Sequence, residues 1–397
     1  MNRARNFAKL NGVTENTFEY IIAGGGMAGL SLAFYLNENA HLRAKKVLII
    51  DRDAKIENDH TWCFWEKQKS AFEEIIFRKW KNIRFHGTRG FSASLNLGDY
   101  EYKMIRAADF YKFVFDKINQ NPNFKFLQNE IISVENGSVK TNDGEFFADE
   151  FIFDSFTRKT YDNPKYQNLF QHFHGWLIET ESNIFNRREP TLFDFRVEQK
   201  NECRFIYILP FSASHALVEF TVFSDNILKK SEYENNLKKY LAGILKIENY
   251  KILETETGVI PMSDEPHEQF PEKKVIRIGT SGGYVKPSTG YSFRRTQKNL
   301  QKLVGFLENA KTKNQKPKTK NRSWKLFLDS VLLNVLSTKK HAADDVFTAL
   351  FSKNPADKVL KFLDEETSVK EDFAIMKTVP LTPFTKAAIE TALKKFK

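Results

Sequence analysis

The sequence predicts an α/β fold: a doubly wound parallel sheet interrupted by an antiparallel sheet and followed by C-terminal helices. Three observations predict it. A strand–glycine turn–helix–strand pattern occupies residues 18–51, which is typical of a parallel sheet with a helical crossover. Strands of period two fill about 155–270, which indicates an antiparallel sheet covered on one face. A second strand–glycine turn–helix pattern follows at 275–293, and the last ninety residues are helical in pattern.

The composition favours a globular protein with a basic surface. The 397 residues suggest about two or three domains, and the 41% apolar content is sufficient for a core. Lysine and arginine (61) exceed aspartate and glutamate (50), and the net charge of +11 favours an anionic partner such as a membrane surface or nucleic acid. The 37 phenylalanines indicate either an aromatic core or a large apolar cavity.

Cysteine usage and hydropathy exclude several classes. Cys63 and Cys203 are too few for a disulfide scaffold or a cysteine-built zinc site, and they fit a reducing cytoplasm. No apolar stretch is long enough for a bilayer-spanning helix. His172 and His174 lie two residues apart on a predicted strand, but nothing nearby completes a ligand set, so no metal site is expected.

The first glycine turn has the pattern of a dinucleotide site. A buried strand over 18–23 runs into a turn that opens a helix, with glycines at Gly24, Gly25, Gly26 and Gly29. The first of these permits a tight turn, the third lets the backbone approach a pyrophosphate, and the last allows close helix–strand packing. The helix N-terminus offers N–H groups to phosphates, and Asp51, at the end of the next strand, can accept from ribose hydroxyls. This Rossmann-like pattern does not separate NAD from FAD.

The second glycine turn favours FAD. It lies more than two hundred residues downstream of the first, so the nucleotide domain is interrupted and completed later, which is typical of flavoproteins. We expect Pro287 to fix φ and Ser288 or Thr289 to cap the following helix. A flavin beside that N-terminus would be stabilised when anionic, which favours its reduced form. The candidate cofactor-binding residues of this turn are Gly279, Gly282, Gly283, Pro287, Thr289 and Gly290.

The domain boundaries follow from these patterns. Residues 1–17 lack the apolar run of a signal peptide and are expected to be a disordered lead-in. The predicted FAD-binding domain is discontinuous and comprises 18–75, 100–155 and 271–305. The predicted substrate-binding β-sheet domain comprises 76–99 and 156–270. Residues 306–397 are expected to be a helical, basic region and a candidate membrane-facing surface.

Six segments resemble the lycopene β-cyclase family, in its bacterial FAD-dependent form. The segments are IIAGGGMAGLSLAFYL (21–36), DHTWCFWE (59–66), FQHFHGWLIET (170–180), LVEFTVFS (217–224), GVIPMSD (258–264) and GTSGGYVKPSTGYSF (279–293). They span most of 21–293 in the family's order, whereas residues after about 305 carry little of the resemblance. His60 stands where an arginine is common in the family.

The resemblance implies an activity, cofactors and a location. Members bind FAD, need it reduced and usually take electrons from NADPH. They close the acyclic ends of lycopene and related carotenoids into β-rings without net redox change. It also implies a cytoplasmic protein bound peripherally to the inner membrane. Two alternatives remain open at this point: a redox flavoenzyme of the same fold (an FAD monooxygenase or isoprenoid reductase) and a non-catalytic carotenoid-binding flavoprotein.

The resemblance also implies a catalytic acid. The family's acidic motif maps onto 217–221, where Glu219 matches the first acid and Phe220 replaces the second. Period two places Glu219 and Thr221 on one face of a strand with apolar neighbours, and such a setting keeps a carboxyl group neutral near pH 7. We expect Glu219 to be the proton donor, or to hold the proton beside the reduced flavin. The alternative is a glutamate at a sheet edge that faces water.

Aromatic side chains are the expected shelter for a carbocation, because their π-faces attract positive charge. Trp62 and Trp65 are the candidate catalytic aromatics. Other candidates are Phe64, Phe205, Tyr207 and Phe211. The alternative is that most of these side chains are ordinary core.

A basic segment is the expected membrane contact. Residues 311–325 carry seven lysines and arginines and no acid, with Trp324 near the end, which suits an anionic lipid surface. Residues 325–337 either dip into the interface or pack as an ordinary helix. No nucleic-acid-binding module is present, so nucleic acid is not an expected partner. The sequence leaves the oligomeric state open.

Overall fold

The computed structural model describes residues 15–309 and 323–395. Most of the predicted lead-in (1–17), and residues 311–322 of the basic segment, therefore lie outside the described residues. Along the described chain the strands are β1 (Thr17–Ala23), β2 (Val47–Asp51), β3 (Thr61–Glu66), β4 (Arg78–Trp80), β5 (Asn82–His86), β6 (Ser92–Asn96), β7 (Glu101–Arg106), β8 (Phe124–Gln128), β9 (Ile131–Glu135), β10 (Ser138–Thr141), β11 (Gly144–Asp154), β12 (Asn168–Thr180), β13 (Thr191–Asp194), β14 (Cys203–Pro210), β15 (His215–Ser224), β16 (Tyr250–Ser263) and β17 (Val275–Arg277).

The helices cluster around the glycine turns and in the C-terminal part of the described chain. They are α1 (Met27–Glu38), α2 (Ala107–Ile118), α3 (Lys230–Tyr240), α4 (Phe293–Asn309), α5 (Ser323–Ser337), α6 (Ala343–Lys353), α7 (Ala356–Leu363), α8 (Val369–Met376) and α9 (Leu381–Lys395). Within residues 15–309 and 323–395, no helix is both long enough and apolar enough to cross a membrane.

The first sheet carries the two glycine turns. Its order is β8-β2-β1-β11-β10-β9, with β17 also paired to β11. The pairs β1–β2, β2–β8, β1–β11 and β11–β17 are parallel, so both glycine turns follow parallel strands that end at the same edge. Helices α1, α2 and α4 bury one face of this sheet. Ile131, Val139 and Phe146, from the antiparallel strands, pack with Phe18 and Leu48 on the other face.

The second sheet is antiparallel apart from one pair. Its order is β16-β12-β15-β14-β13-β5-β6, and only β13 and β5 run parallel among its described pairs. Both of its faces are covered, not one as the sequence predicts. Val218 and Phe220 of β15 pack with residues of α3, while Leu217 and Phe223 face the C-terminal helices. The third sheet has the order β3-β7-β4, so the segment 76–99 contributes β4 to it and β5 and β6 to the second sheet.

Helix α5 packs as an ordinary helix. Val331, Leu333 and Val335 are buried in the core that it shares with the second sheet. At its start, Trp324 Nε1 donates to Asp372 Oδ2 (2.9 Å), and Lys325 Nζ pairs with the same carboxylate at 2.7 Å. The structure thus favours the packed alternative for 325–337 over insertion into a lipid interface.

Candidate functional site

A cavity of about 140 Å³ lies between the second sheet and the C-terminal helices. β3, β14, β15 and β16 contribute to its wall, together with the second glycine turn and helices α6 and α7. Apolar and aromatic side chains dominate the lining, and two carboxyl groups, of Glu219 and Glu256, project among them. Such a space suits an apolar ligand that meets a small number of polar groups.

Glu219 is a buried carboxyl group on an interior strand. β15 lies between β12 and β14, so Glu219 does not lie at a sheet edge, and only 8% of the residue is exposed. The hydroxyl of Thr221 donates to Glu219 Oε1 at 2.6 Å. Burial raises the pKa of Glu219 to about 8, with a smaller contribution from the charge of Glu256, while the Thr221 hydrogen bond opposes the shift. The carboxyl group is therefore mostly protonated at neutral pH.

Glu256 is a cavity residue that the sequence analysis did not single out. It lies on β16, and its Oε1 accepts the backbone N–H of Thr61 at 2.9 Å. Burial raises its pKa, and the hydrogen bond from Thr61 opposes that shift. The sequence could have pointed to Glu256, because it lies two residues before the GVIPMSD segment. Alternate residues of a strand face the same side of the sheet.

The candidate aromatics divide into two groups. Trp62, Trp65, Phe205 and Tyr207 line the cavity. Trp65 is held in place because its Nε1 donates to Leu360 O at 3.2 Å. Two candidates lie elsewhere: Phe64 stacks on Phe293 (4.4 Å between ring centroids), and Phe211 packs against Phe77 (5.0 Å).

A group of phenols lies next to these aromatics. Tyr102 is hydrogen-bonded to Tyr207, and its hydroxyl lies 3.2 Å from the hydroxyl of Tyr291. All three line the cavity, and burial raises their pKa values, so each phenol stays neutral. Tyr291 also packs edge-on against Trp65, with ring centroids 4.6 Å apart.

The first glycine turn has the geometry that a dinucleotide requires. Gly24 adopts φ +100°, and a Cβ on Gly29 would lie 2.0 Å from Gly24 O, so only glycine fits there. Apart from Gly26 itself and its two chain neighbours, no described residue has an atom within 4 Å of where a Cβ on Gly26 would be, so the backbone is open to approach. Asp51 Oδ2 accepts the Gly25 N–H at 2.7 Å, and Asp51 Oδ1 lies 3.0 Å from Lys55 Nζ.

The second glycine turn connects the first to the cavity. Gly279, Gly283 and Gly290 have positive φ, and a Cβ on Gly279 would lie 2.8 Å from Ala28 Cβ, beside the first turn. At its other end, Thr289 and Gly290 line the cavity. The turn therefore spans the space from the candidate pyrophosphate site to the candidate acid. Gly282 has a different role, because a Cβ there would lie 2.3 Å from Arg277 O.

The capping prediction for Ser288 and Thr289 is wrong. Helix α4 begins at Phe293, and the Thr296 N–H donates to Ser292 O at 2.8 Å, which places the cap near Ser292. Pro287 lies in a hydrogen-bonded turn, because the N–H groups of Thr289 and Gly290 donate to Lys286 O at 3.3 and 2.9 Å. The Ser288 hydroxyl instead donates to Asp329 Oδ1 at 2.6 Å. Thr289 Oγ1 and Ser281 Oγ are buried without a hydrogen-bond partner among the described residues, as expected of groups that meet a ligand.

The paired histidines lie on the opposite face of the second sheet. His172 Nδ1 lies 2.6 Å from the Tyr233 hydroxyl, and its Nε2 lies 2.8 Å from Ser224 Oγ. His174 Nδ1 lies 2.7 Å from Thr257 Oγ1. Burial lowers the pKa of His172 to about 4, so the ring is neutral and its nitrogens serve the protein core. In the described part of the chain, no three histidine, cysteine or acidic side chains cluster as metal ligands would.

His60 lies beside the cavity. Its Nδ1 is 3.2 Å from Asp59 Oδ1, and its ring stacks on that of Trp62 with centroids 6.0 Å apart. The hydrogen bond to Asp59 raises the pKa of His60, and the charge of Glu256 adds to the shift. A cationic ring is thereby favoured next to the Glu256 carboxylate.

Solved structures with the same architecture include a reductase-like protein and a flavoprotein/dehydrogenase. A geranylgeranyl bacteriochlorophyll reductase-like protein of Thermoplasma acidophilum superimposes with a TM-score of 0.61 at 14% identity, covering 95% of this chain and 100% of that one. A flavoprotein/dehydrogenase of Cytophaga hutchinsonii gives 0.60 at 13% identity, with 96% and 100% covered. The fold is thus that of the FAD-type flavoproteins, which confirms the predicted fold class.

The sequence narrows this class to one family. The lycopene cyclase protein family matches residues 19–389, and the chain belongs to that family. The lycopene beta-cyclase of Pantoea ananas is 25% identical over 287 residues, which is 69% of this chain and 71% of that protein. A neoxanthin synthase of Solanum tuberosum is 26% identical over 305 residues. The match to it covers 70% of this chain but only 58% of the plant protein. The family match extends well past residue 305, where the recognisable motifs end.

Proposed function

We propose that this protein is a lycopene β-cyclase. It would close the acyclic ends of lycopene to β-ionone rings, giving γ-carotene after one closure and β-carotene after two, by acid catalysis without net redox change. The observation that carries the proposal is a buried, mostly protonated Glu219 in the wall of an aromatic cavity. Membership of the lycopene cyclase family supports the same conclusion.

We propose FAD as the cofactor, in its reduced form and with NADPH as the electron source. The open backbone at Gly26 and the N-terminus of α1 would receive the pyrophosphate, and Asp51 would meet the ribose. The unpaired hydroxyls of Ser281 and Thr289 support a ligand along the second turn. When bound there, reduced flavin supplies negative charge beside the cavity, which favours a nearby carbocation.

Glu219 is the proposed proton donor. Its proton goes to the terminal double bond of the substrate, and the resulting cation is attacked by the next double bond to close the ring. Thr221 orients the carboxyl group through its hydrogen bond. Trp62 and Trp65 present π-faces to the cation, each worth roughly 0.5–2 kcal/mol. The apolar lining excludes water, which would otherwise capture the cation.

The substrate class implies contact with a membrane. A C40 polyene dissolves in lipid, so we propose that the protein is cytoplasmic and binds the inner membrane peripherally through its basic surface, consistent with the net charge of +11. Binding to anionic liposomes that weakens with salt, with little binding to neutral ones, is the expected result of a flotation assay. Equal binding to both lipids would contradict an electrostatic contact.

The decisive experiment for the activity is expression in a lycopene-accumulating bacterium, where a red-to-orange shift reports ring closure. The purified protein is then assayed anaerobically with reduced FAD and lycopene. A cyclase forms ring products without stoichiometric consumption of reduced flavin. A monooxygenase would need oxygen, a reductase would consume reduced flavin, and a binding protein would form no product.

A further inference from the structure

Two carboxyl groups from distant parts of the chain lie in one row of the second sheet. β12 pairs with β15 on one side and with β16 on the other. Gly175 of β12 is aligned with Glu219 in the first pair and with Glu256 in the second. Residues in register across neighbouring strands project from the same face, and both glutamates line the cavity.

Gly175 allows the Glu219 side chain to lie close against β12, because glycine has no Cβ to displace it. A Cβ at this position would lie 3.3 Å from Glu219 Cβ and 3.4 Å from Glu219 Cγ, so the Glu219 side chain lies beside the uncovered backbone of β12. The next strand in that direction is β16, which carries Glu256. The charge of Glu256 acts on Glu219 strongly enough to be the second cause of its raised pKa.

The surroundings of the two carboxyl groups decide which one holds a proton. Glu256 accepts a backbone N–H from Thr61, and the charge of His60 also favours its ionised form. The Thr221 hydroxyl contacts Glu219, which is enclosed by apolar side chains. Burial raises the pKa of both groups, but these contacts favour the proton on Glu219 and the charge on Glu256, because two neighbouring like charges disfavour double ionisation.

Four other titratable groups that face this pair are neutral, and two charged groups lie on the Glu256 side. Tyr207 of β14, Tyr102 of β7 and Tyr291 of the second turn have pKa values raised by burial, as does Cys63 of β3. On the Glu256 side, the charge of His60 lowers the pKa of Glu256 and the charge of Asp59 raises it. The three neutral phenols and the neutral thiol are weaker proton acceptors than an ionised carboxylate.

The position at which the family motif has its second acid is Phe220, and its side chain faces away from the cavity. Phe220 projects from the other face of β15 and packs against Tyr233 of α3, with ring centroids 6.2 Å apart. Because neighbouring residues on a strand point to opposite faces, a side chain at this position does not share the cavity with Glu219. The second carboxyl group that lines the cavity is that of Glu256, on β16.

We propose that Glu256 is the second carboxylate of the catalytic pair and accepts the proton that the new ring releases. This inference rests on the proposed cyclase function. The O–H bond of Glu219 breaks as a C–H bond forms at the terminal alkene carbon, and a C–C bond then closes the ring. A C–H bond beside the cation breaks, its electrons form the ring double bond, and its proton goes to Glu256. Transfer of that proton from Glu256 to Glu219 restores the starting state, with no electrons gained or lost.

Glu256→Gln tests the proposal with little change of shape, since the amide oxygen can still accept the Thr61 N–H. The expected result is a fall in kcat by roughly 10²-fold or more, with KM within about twofold. Glu256→Asp keeps the charge and should recover part of the loss. The matched control is Glu254→Gln, an exposed residue two positions earlier on β16, which should behave as wild type.

A second readout is independent of turnover. The carboxylic-acid C=O band of Glu219, followed by infrared difference spectroscopy, should disappear at a lower pH in Glu256→Gln, because the neighbouring negative charge that holds the proton is gone. The alkaline limit of residual activity should shift to lower pH in parallel. An unchanged band and an unchanged kcat in this variant would overturn the proposal that Glu256 is the second catalytic carboxylate.

Failure of the pair and failure of the proposed function are distinguishable. If the wild-type protein forms no ring product with reduced FAD, the cyclase proposal is wrong, and so is the proposed role of Glu256. If the wild type cyclises lycopene and Glu256→Gln does so equally well, only the pair is wrong. Should Glu256→Gln misfold, Glu256→Ala, which also removes the carboxylate, carries the test, and wild-type kcat with a wild-type pH profile in that variant would overturn the proposal.

Discussion

Lys286 Nζ lies 2.7 Å from Asp329 Oδ1, and this buried ion pair ties the second glycine turn to helix α5. Ser288 donates to the same oxygen, so two residues of the turn depend on one carboxylate of the C-terminal region. The turn also lines the cavity through Thr289 and Gly290. The C-terminal helices therefore help to hold the turn that we propose for FAD.

Lys286→Met should destabilise the protein by about 3–5 kcal/mol, because it leaves Asp329 buried without its cation. The free energy of unfolding from urea titration measures this loss. Lys361→Met is the control, since its ion pair with Glu371 is solvent-exposed and contributes little to stability. Similar losses of unfolding free energy in both variants would show that the buried ion pair contributes no more to stability than the exposed one.

Glu219→Gln should lower kcat for cyclisation by roughly 10²–10⁴-fold, while FAD binding is retained. In the wild type, activity should be highest below about pH 8 and fall as pH rises through the pKa of Glu219, because the donor then loses its proton. Initial rates across pH with reduced FAD measure the profile. Activity that rises steadily above pH 8 would contradict a protonated Glu219 as donor.

Gly26→Ala and Gly29→Ala should separate cofactor binding from folding. Gly26 has open space where a Cβ would be, so its variant should keep the stability of the apo protein within about 1 kcal/mol yet bind FAD more weakly. A Cβ on Gly29 collides with Gly24 O, so that variant should lose stability as well. Thermal unfolding of the apo protein and a fluorescence titration with FAD measure the two effects. Undiminished FAD affinity in Gly26→Ala would argue against the proposed pyrophosphate site.

Gly175→Ala should lower kcat by displacing the Glu219 side chain, because the new methyl group would lie 3.3 Å from its Cβ and 3.1 Å from Leu217 Cδ1. The expected loss is roughly tenfold or more, which corresponds to an increase of about 1.4 kcal/mol or more in the activation free energy. The control is Gly305→Ala in α4, where the added Cβ would meet no described atom within 4 Å apart from its chain neighbours and the backbone of its own helix. Full activity in Gly175→Ala would mean that catalysis does not require a glycine beside Glu219.

Local patterns in the sequence determined the fold class and the family. The strand, glycine turn and helix around 18–38 are predictable because their contacts join residues that are near in sequence, such as Gly24 and Gly29. The quoted motifs identified the lycopene cyclase family, and the family match confirms it. The roles of Glu219 and the cofactor-binding residues stay predictions.

The tertiary structure alone decided what surrounds the proposed acid. Gly175, Glu219 and Glu256 are brought into one row by strand pairing across more than eighty residues, and nothing in their local sequence specifies that register. The cap near Ser292 and the packing of α5 likewise depend on contacts with distant elements. Burial raises the pKa of Glu219 because water is excluded by side chains from several strands and helices, so its acidity is a property of the assembled fold.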